Sequence, residues 1–146
     1  MKVVIDTNIF VSALKSGGGA SRKIIRMCLN GQLHPLMGNA LFSEFEDVCS
    51  RADLFANGIL SRQEREALLD TFFASCTWTP IYFLWRPNLR DEGDNHVVEL
   101  AIAGNAKTII TANKRDFLDS DLSFPDIEIC NASEFLNSER IRKWAH

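Results

Sequence analysis

The chain has 146 residues, with 16 Lys plus Arg against 19 Asp plus Glu and a formal net charge of −3. That length suits one domain with its own hydrophobic core, and 46% apolar with 24% charged residues argues against disorder. The longest apolar run, Ile81–Trp85, falls far short of the ~18 residues of a membrane span, and the acidic balance argues against a protein that coats nucleic acid non-specifically.

Met1 and Lys2 lead directly into Val3-Val4-Ile5, and Asp6 interrupts any signal-peptide core, so a cytoplasmic location is expected. Lys2 to Asp6 reads as a short buried strand of β-branched residues closed by an acid. A helix follows over Asn8–Lys15, then a break at Gly17-Gly18-Gly19. Ser21–Asn30 is helical, with Ile24, Ile25, Cys28 and Leu29 on one face and Gly31 as the stop. Leu33–Met37 reads as a second strand weakened by Pro35. Asn39 is expected to cap the next helix, which runs to about Arg51. Ser61 caps another, with Glu64 completing a capping box.

Thr77–Trp85 is strand-like and Arg86–Arg90 a loop. A helix starts at or beside Asp94 and carries Val97, Leu100 and Ala101. Thr108–Thr111 is a strand, Asn113–Asp119 a loop or short helix, Ile127–Cys130 a last strand and Ser133–Asn137 a last helical turn. Strands alternate with helices throughout. The fold class is therefore α/β, an α/β/α sandwich around a mainly parallel sheet, and residues 1–146 read as one domain. Cys28, Cys49, Cys76 and Cys130 make no paired motif and read as buried free thiols. The histidines, His34, His96 and His146, stand at no zinc-ligand spacing.

In open parallel sheets the ligand crevice lies at the carboxyl ends of the strands. Asp6 closes the first strand, Asn113 and Asp116 follow the strand ending at Thr111, and Asp91 and Asp94 precede a helix that starts at the same end. Glu44 lies between Leu41 and Val48 at helical offsets, which points it toward the core side of its helix. Any one of these acids alone reads equally well as a cap or a surface charge. Together they come from segments far apart and converge if the sheet is parallel. Clustered carboxylates raise one another's pKa, and a cation relieves that. An all-oxygen donor set favours Mg²⁺ or Mn²⁺ over zinc, and such an ion suits hydrolysis of a phosphodiester.

The segments Val3-Val4-Ile5-Asp6-Thr7-Asn8-Ile9-Phe10, Glu44, Asp91-Glu92-Gly93-Asp94-Asn95 and Thr111-Ala112-Asn113-Lys114-Arg115-Asp116-Phe117 resemble, in order and spacing, a PIN domain. The resemblance is strongest to the bacterial VapC-type ribonucleases that act as toxins in toxin–antitoxin pairs. It implies a metal-dependent endoribonuclease. It also implies that Asp6, Glu44, Asp94 and Asp116 are the catalytic and metal-binding acids, with Asp91 as a near neighbour. Many members carry an Asp two residues after the strand-ending Thr. Asn113 stands there in this chain, so the last metal contact falls to Asp116, Asn113 or a water held by either. Asn8 and Thr111 are implied as groups that orient Asp6 and a water.

Lys114 and Arg115, beside Asp116, are the best candidates for holding RNA. Arg22, Lys23, Arg26, Arg86 and Arg90 read mainly as solvated charge, and Trp78, Trp85 and Trp144 mainly as packing. The expected partners are an RNA substrate, a protein antitoxin and, from the ten Phe and three Trp, a second copy of the chain through residues such as Phe72, Phe73 or Trp85. A phosphatase of the D-x-D type fits poorly because Asn8 follows Thr7. A receiver domain fits poorly because Asp6 has no acidic neighbour. A non-catalytic RNA-binding module on the same fold and a structure-specific DNA nuclease remain as alternatives.

Overall fold

The computed structural model describes residues 1–15, 19–55, 58, 60–80, 95–118 and 126–138, without the side chains of Asn95, Asp116 and Leu118. The readings made for Gly17, Gly18, Ile81–Asp94 and Trp144 lie outside the described residues. In chain order the elements are β1 (Lys2–Ile5), α1 (Thr7–Lys15), α2 (Ala20–Leu29), β2 (His34–Met37), α3 (Asn39–Cys49), α4 (Arg62–Ser75), β3 (Thr77–Trp78), α5 (Asn95–Ala103), β4 (Thr108–Ile110), α6 (Lys114–Leu118), β5 (Glu128–Cys130) and α7 (Ala132–Leu136), with a 3-10 turn over Ala52–Phe55.

The five strands form one sheet in the order β3-β2-β1-β4-β5, and every adjacent pair is parallel. Parallel strands covered by helices on both faces are apolar without alternation. Accordingly Val3, Val4 and Ile5 of β1 and Ile109 and Ile110 of β4 are all fully buried. This is the expected α/β/α sandwich. The chain leaves β1 toward β2 on one side and returns to β4 on the other, so the switch point of the sheet lies between β1 and β4. The carboxyl ends of these two strands border the crevice where this architecture binds ligands.

Pro35 is tolerated inside the sheet for a positional reason. His34 N–H bonds to Met1 O of the β1 side, so the next backbone nitrogen, that of Pro35, faces β3. The β3 ladder begins only opposite Leu36, so the missing donor costs no hydrogen bond there. Gly31 stops α2 as expected: its φ is 80°, the left-handed conformation that glycine enters without penalty.

Three aromatic rings fasten α1, α3 and α4 together. Phe10 meets Phe45 at 5.5 Å and Phe72 at 5.2 Å between ring centres, and Phe45 meets Phe72 at 5.5 Å. Each ring is nearly or wholly buried. Phe72 therefore belongs to the core, and the expectation that it covers a partner surface is corrected. The packing of aromatic edges fixes the approach of α1 to α3, which in turn sets Thr7, one turn before Phe10, beside Glu44, the residue before Phe45.

Two further expectations need adjustment. Asn39 does not cap α3. Gly38 occupies that position, with extended backbone and no side-chain hydrogen bond, and the helix is already under way at Asn39. Cys76 is half-buried, whereas the other three thiols are buried as expected and all four are free.

Candidate active site

Asp6 follows directly on β1, and its backbone N–H bonds to Ile110 O of β4 at 3.0 Å. Its side chain is only 3% exposed. One carboxylate oxygen, Oδ1, accepts the Thr7 backbone N–H at 2.8 Å. The other, Oδ2, accepts the Thr111 hydroxyl at 2.8 Å and the Asn8 side-chain amide at 3.3 Å. Asn8 also accepts the Ala112 N–H on its Oδ1 at 3.0 Å. This side chain thus ties the first turn of α1 to the segment after β4, across the switch point. Thr111 is fully buried and its oxygen accepts the Asn113 N–H at 3.0 Å. Asn8 and Thr111 thus both contact Asp6.

Glu44 reaches the same end of the sheet from α3. Its Oε2 lies 2.9 Å from His96 Nε2 on α5. The Thr7 side chain also faces it, in a contact that favours its charged form; neither Thr7 Oγ1 nor His96 Nε2 makes a well-directed hydrogen bond. Burial raises the pKa of the Asp6 carboxyl above the usual carboxylate range; the Thr111 hydroxyl opposes the rise and the charge of Glu44 adds to it, while the Thr7 amide and the charge of His96 oppose it. Burial acts on Glu44 in the same direction. There, however, the polar contacts of His96 and Thr7 and the charge of His96 win, and the group lies below its ordinary value. Two carboxylates in adjacent environments are thus pushed apart, one toward the neutral form and one toward the charged form.

His96 is the participant that the sequence reading missed. It stands alone on its helix, and only the packing of α5 against α3 brings it to Glu44. Asp91 and Asp94 lie outside the described residues, as do the side chain of Asp116 and the cations Arg86 and Arg90. The backbone of Asp116 sits in α6, which starts three residues after Thr111. Lys114 is engaged with Glu134, Nζ to Oε2 at 2.9 Å, while Arg115 is exposed. Among the described residues no three His, Cys, Asp or Glu side chains surround a common point. Asp6 and Glu44 nevertheless supply the hard, anionic oxygens that suit Mg²⁺ or Mn²⁺. A separate concavity of about 200 Å³ lies between α1, α2 and α4, lined by Leu14, Ile25, Leu68 and the stems of Arg22 and Arg26. Among the described residues no carboxylate borders it.

A family model for the PIN domain matches residues 2–115. The chain belongs to the PIN-domain family. It is also similar to a chain of the structure described as "Crystal structure of VapBC2 from Rickettsia felis bound to a DNA fragment from their promoter", with a TM-score of 0.59 and 15% identity over 90% of this chain and 98% of that one. At that identity the likeness shows a shared fold. No curated protein matches this chain. The PIN-domain match spans Asp6, Glu44, Asp91, Asp94 and Thr111 and ends at Arg115, one residue before Asp116.

Proposed function

We propose that this PIN domain is a divalent-metal-dependent endoribonuclease that hydrolyses RNA phosphodiester bonds and serves as the toxin of a toxin–antitoxin pair. The observation that carries this reading is Asp6. It is a carboxylate at the switch point of the sheet, braced by Thr7, Asn8 and Thr111, with its pKa raised by burial and further by the neighbouring charge of Glu44. Such a group is costly to ionise in an empty site and is stabilised by a cation. Asp6, Glu44, Asp94 and Asp116 would hold Mg²⁺ or Mn²⁺, with Asp91 and Asn113 close by. When bound, the ion supplies a water of lowered pKa and neutralises charge on the phosphate oxygens. In hydrolysis the water oxygen bonds to phosphorus as the ester P–O bond breaks, and the leaving oxygen takes up a proton. Lys114 and Arg115 would hold the RNA backbone beside the acids.

The antitoxin is supported by the fold shared with the VapBC2 structure. The homodimer belongs to the same proposal, now through Phe73 and Trp78 in place of Phe72; Trp78 is 48% exposed. A dimer mass by light scattering at micromolar concentration is expected, and a monomer mass would remove it.

The central test is cleavage of single-stranded RNA. Activity should vanish with EDTA and return with Mg²⁺ or Mn²⁺, and Asp6→Asn and Asp94→Asn should each lower it at least a hundredfold with the circular dichroism spectrum intact. RNA bound but never cut would favour the non-catalytic module. Cleavage of DNA in preference to RNA would favour a DNA nuclease. Full activity in either variant would overturn the assignment of these acids.

A further inference from the structure

We propose that His96 is a positioning residue, whose imidazole holds the Glu44 carboxylate in the orientation that, with Asp6, receives the metal ion. This inference rests on the metal-dependent reading of the site given above.

Glu44 has a long side chain on a helix whose buried residues Leu41 and Phe45 fix the backbone but not the carboxylate. The side chain is 34% exposed, so solvent offers it other rotamers. Among the described residues two side chains meet it, Thr7 and His96. Neither Thr7 Oγ1 nor His96 Nε2 meets it in a well-directed hydrogen bond, but His96 makes a close polar contact. The His96 ring is 18% exposed and 2.9 Å from Oε2. It stands on α5 directly before Val97 and Val98, which are buried to 0% and 1% exposure, so its backbone is anchored in the core. A short, flat side chain on an anchored helix is a rigid brace. At 2.9 Å its Nε2 engages one carboxylate oxygen, Oε2, and so restricts the rotamers of the Glu44 side chain. Carboxylates that bind metals are commonly braced in this way, and loss of the brace typically costs about 10–100-fold in metal affinity.

A counter-ion role makes the opposite prediction. If His96 merely neutralised Glu44, its removal would leave two carboxylates with less cationic charge between them, and a divalent ion would bind as well or better. A packing role predicts lower stability with unchanged metal affinity.

The experiment measures Mn²⁺ binding to the purified full chain at one pH by electron paramagnetic resonance of the free ion, alongside thermal unfolding without metal. Wild type, His96→Ala, His96→Phe, His96→Gln, Glu44→Gln and the double variant Glu44→Gln/His96→Ala are compared. His96→Phe keeps a buried ring and guards against the case in which His96→Ala fails to fold. Both should weaken Mn²⁺ binding about tenfold or more. His96→Gln, which keeps a donor, should recover most of that loss. In the Glu44→Gln background His96→Ala should cost little further, as expected of two residues acting through one contact. Unchanged or tighter Mn²⁺ binding in His96→Ala or His96→Phe overturns the inference, and so does equal loss in the Phe and Gln variants. A wild type that binds no Mn²⁺ overturns the metal-dependent reading itself, whereas a wild type that binds beside unaffected variants overturns only the role of His96.

Discussion

Asp6 illustrates a conflict between stability and chemistry at a single side chain. Burial raises its pKa, so the folded chain binds its proton more tightly than the unfolded chain does. Below the ordinary value of 3.8 both states are protonated and folding bears no penalty. As pH rises past that value toward the raised one, the cost of ionising a buried group appears, and it persists at neutral pH. Asp6→Asn should therefore raise the metal-free melting midpoint at pH 7.5, by about 2–4 °C if the relief is ~1 kcal/mol, while abolishing cleavage. A lower midpoint would mean that the bonds to Thr7 and Thr111 outweigh burial. The thiols give a second test at this scale. Burial pushes Cys28 and Cys130 up to about 12 and Cys49 to about 11, and Cys76 is raised further still. All four should resist a thiol-titrating disulfide reagent at pH 8 in the native protein and react once urea unfolds it. At this scale Asp6 and Glu44 stood out because each sits at a fixed offset from a strand end or an apolar helical stripe, whereas Asn8 and Thr111 entered only through the PIN-domain resemblance. His96 was not, because what sets it apart is contact with α3, and no local pattern encodes that.

Among the elements, the helix ends show which local signals can be read and which mislead. Ser61 and Glu64 form the expected reciprocal box, Ser61 Oγ accepting from Glu64 N at 3.1 Å and Glu64 Oε1 from Ser61 N at 2.9 Å. The same pattern at Asn131 and Glu134 starts α7, yet the sequence reading began that turn at Ser133. A single short turn carries too little apolar periodicity to draw attention to its cap. Asn39 misled in the other direction, as a good capping residue placed one position inside the helix. The α7 box also predicts a pH dependence. The Asn131 backbone amide, and then Lys114, hold Glu134 below its ordinary 4.5. That contribution is complete above 4.5 and is lost as pH falls through the lowered value. Amide protection in α7 should thus decline in acid before that of β4, and Glu134→Gln should remove the difference. The effect is small, because the pair is exposed. Phe45→Ala should act more strongly. Removing one of three interlocked rings costs about 3–5 kcal/mol, and because it loosens α3 it should impair metal binding as well as stability, measured by denaturant unfolding and Mn²⁺ titration together.

Over the whole molecule, the alternation of strands and helices was enough to identify a parallel α/β/α sandwich. The strand order was not, since sequence patterns do not record which strand lies beside which. That order matters because it puts β1 beside β4 and thereby brings Asp6 to Thr111. An ion at the proposed site would also link binding to global stability. An ion held by the folded site alone should raise the melting midpoint, with ~2.7 kcal/mol expected at a hundred times the dissociation constant. Differential scanning calorimetry with and without Mn²⁺ should show a rise of about 5–10 °C, and the rise should be absent in Asp6→Asn. An equal rise in that variant would place the ion elsewhere.

The bond between Thr111 and Asp6 spans 105 positions of the chain, and this has a consequence for the order in which the protein is made. Asp6 and Glu44 leave the ribosome early, but the hydroxyl that braces Asp6 and the strand that walls the crevice come only after more than two thirds of the 146 residues have been joined. Chain growth at ~5–20 residues per second leaves the early acids without that partner for several seconds. A nascent or prematurely released chain that stops before β4 would therefore carry two of the acids without a finished site. If the domain cleaves RNA as proposed, the topology delays that activity until synthesis is nearly complete, and fragments left by interrupted translation should be harmless to RNA.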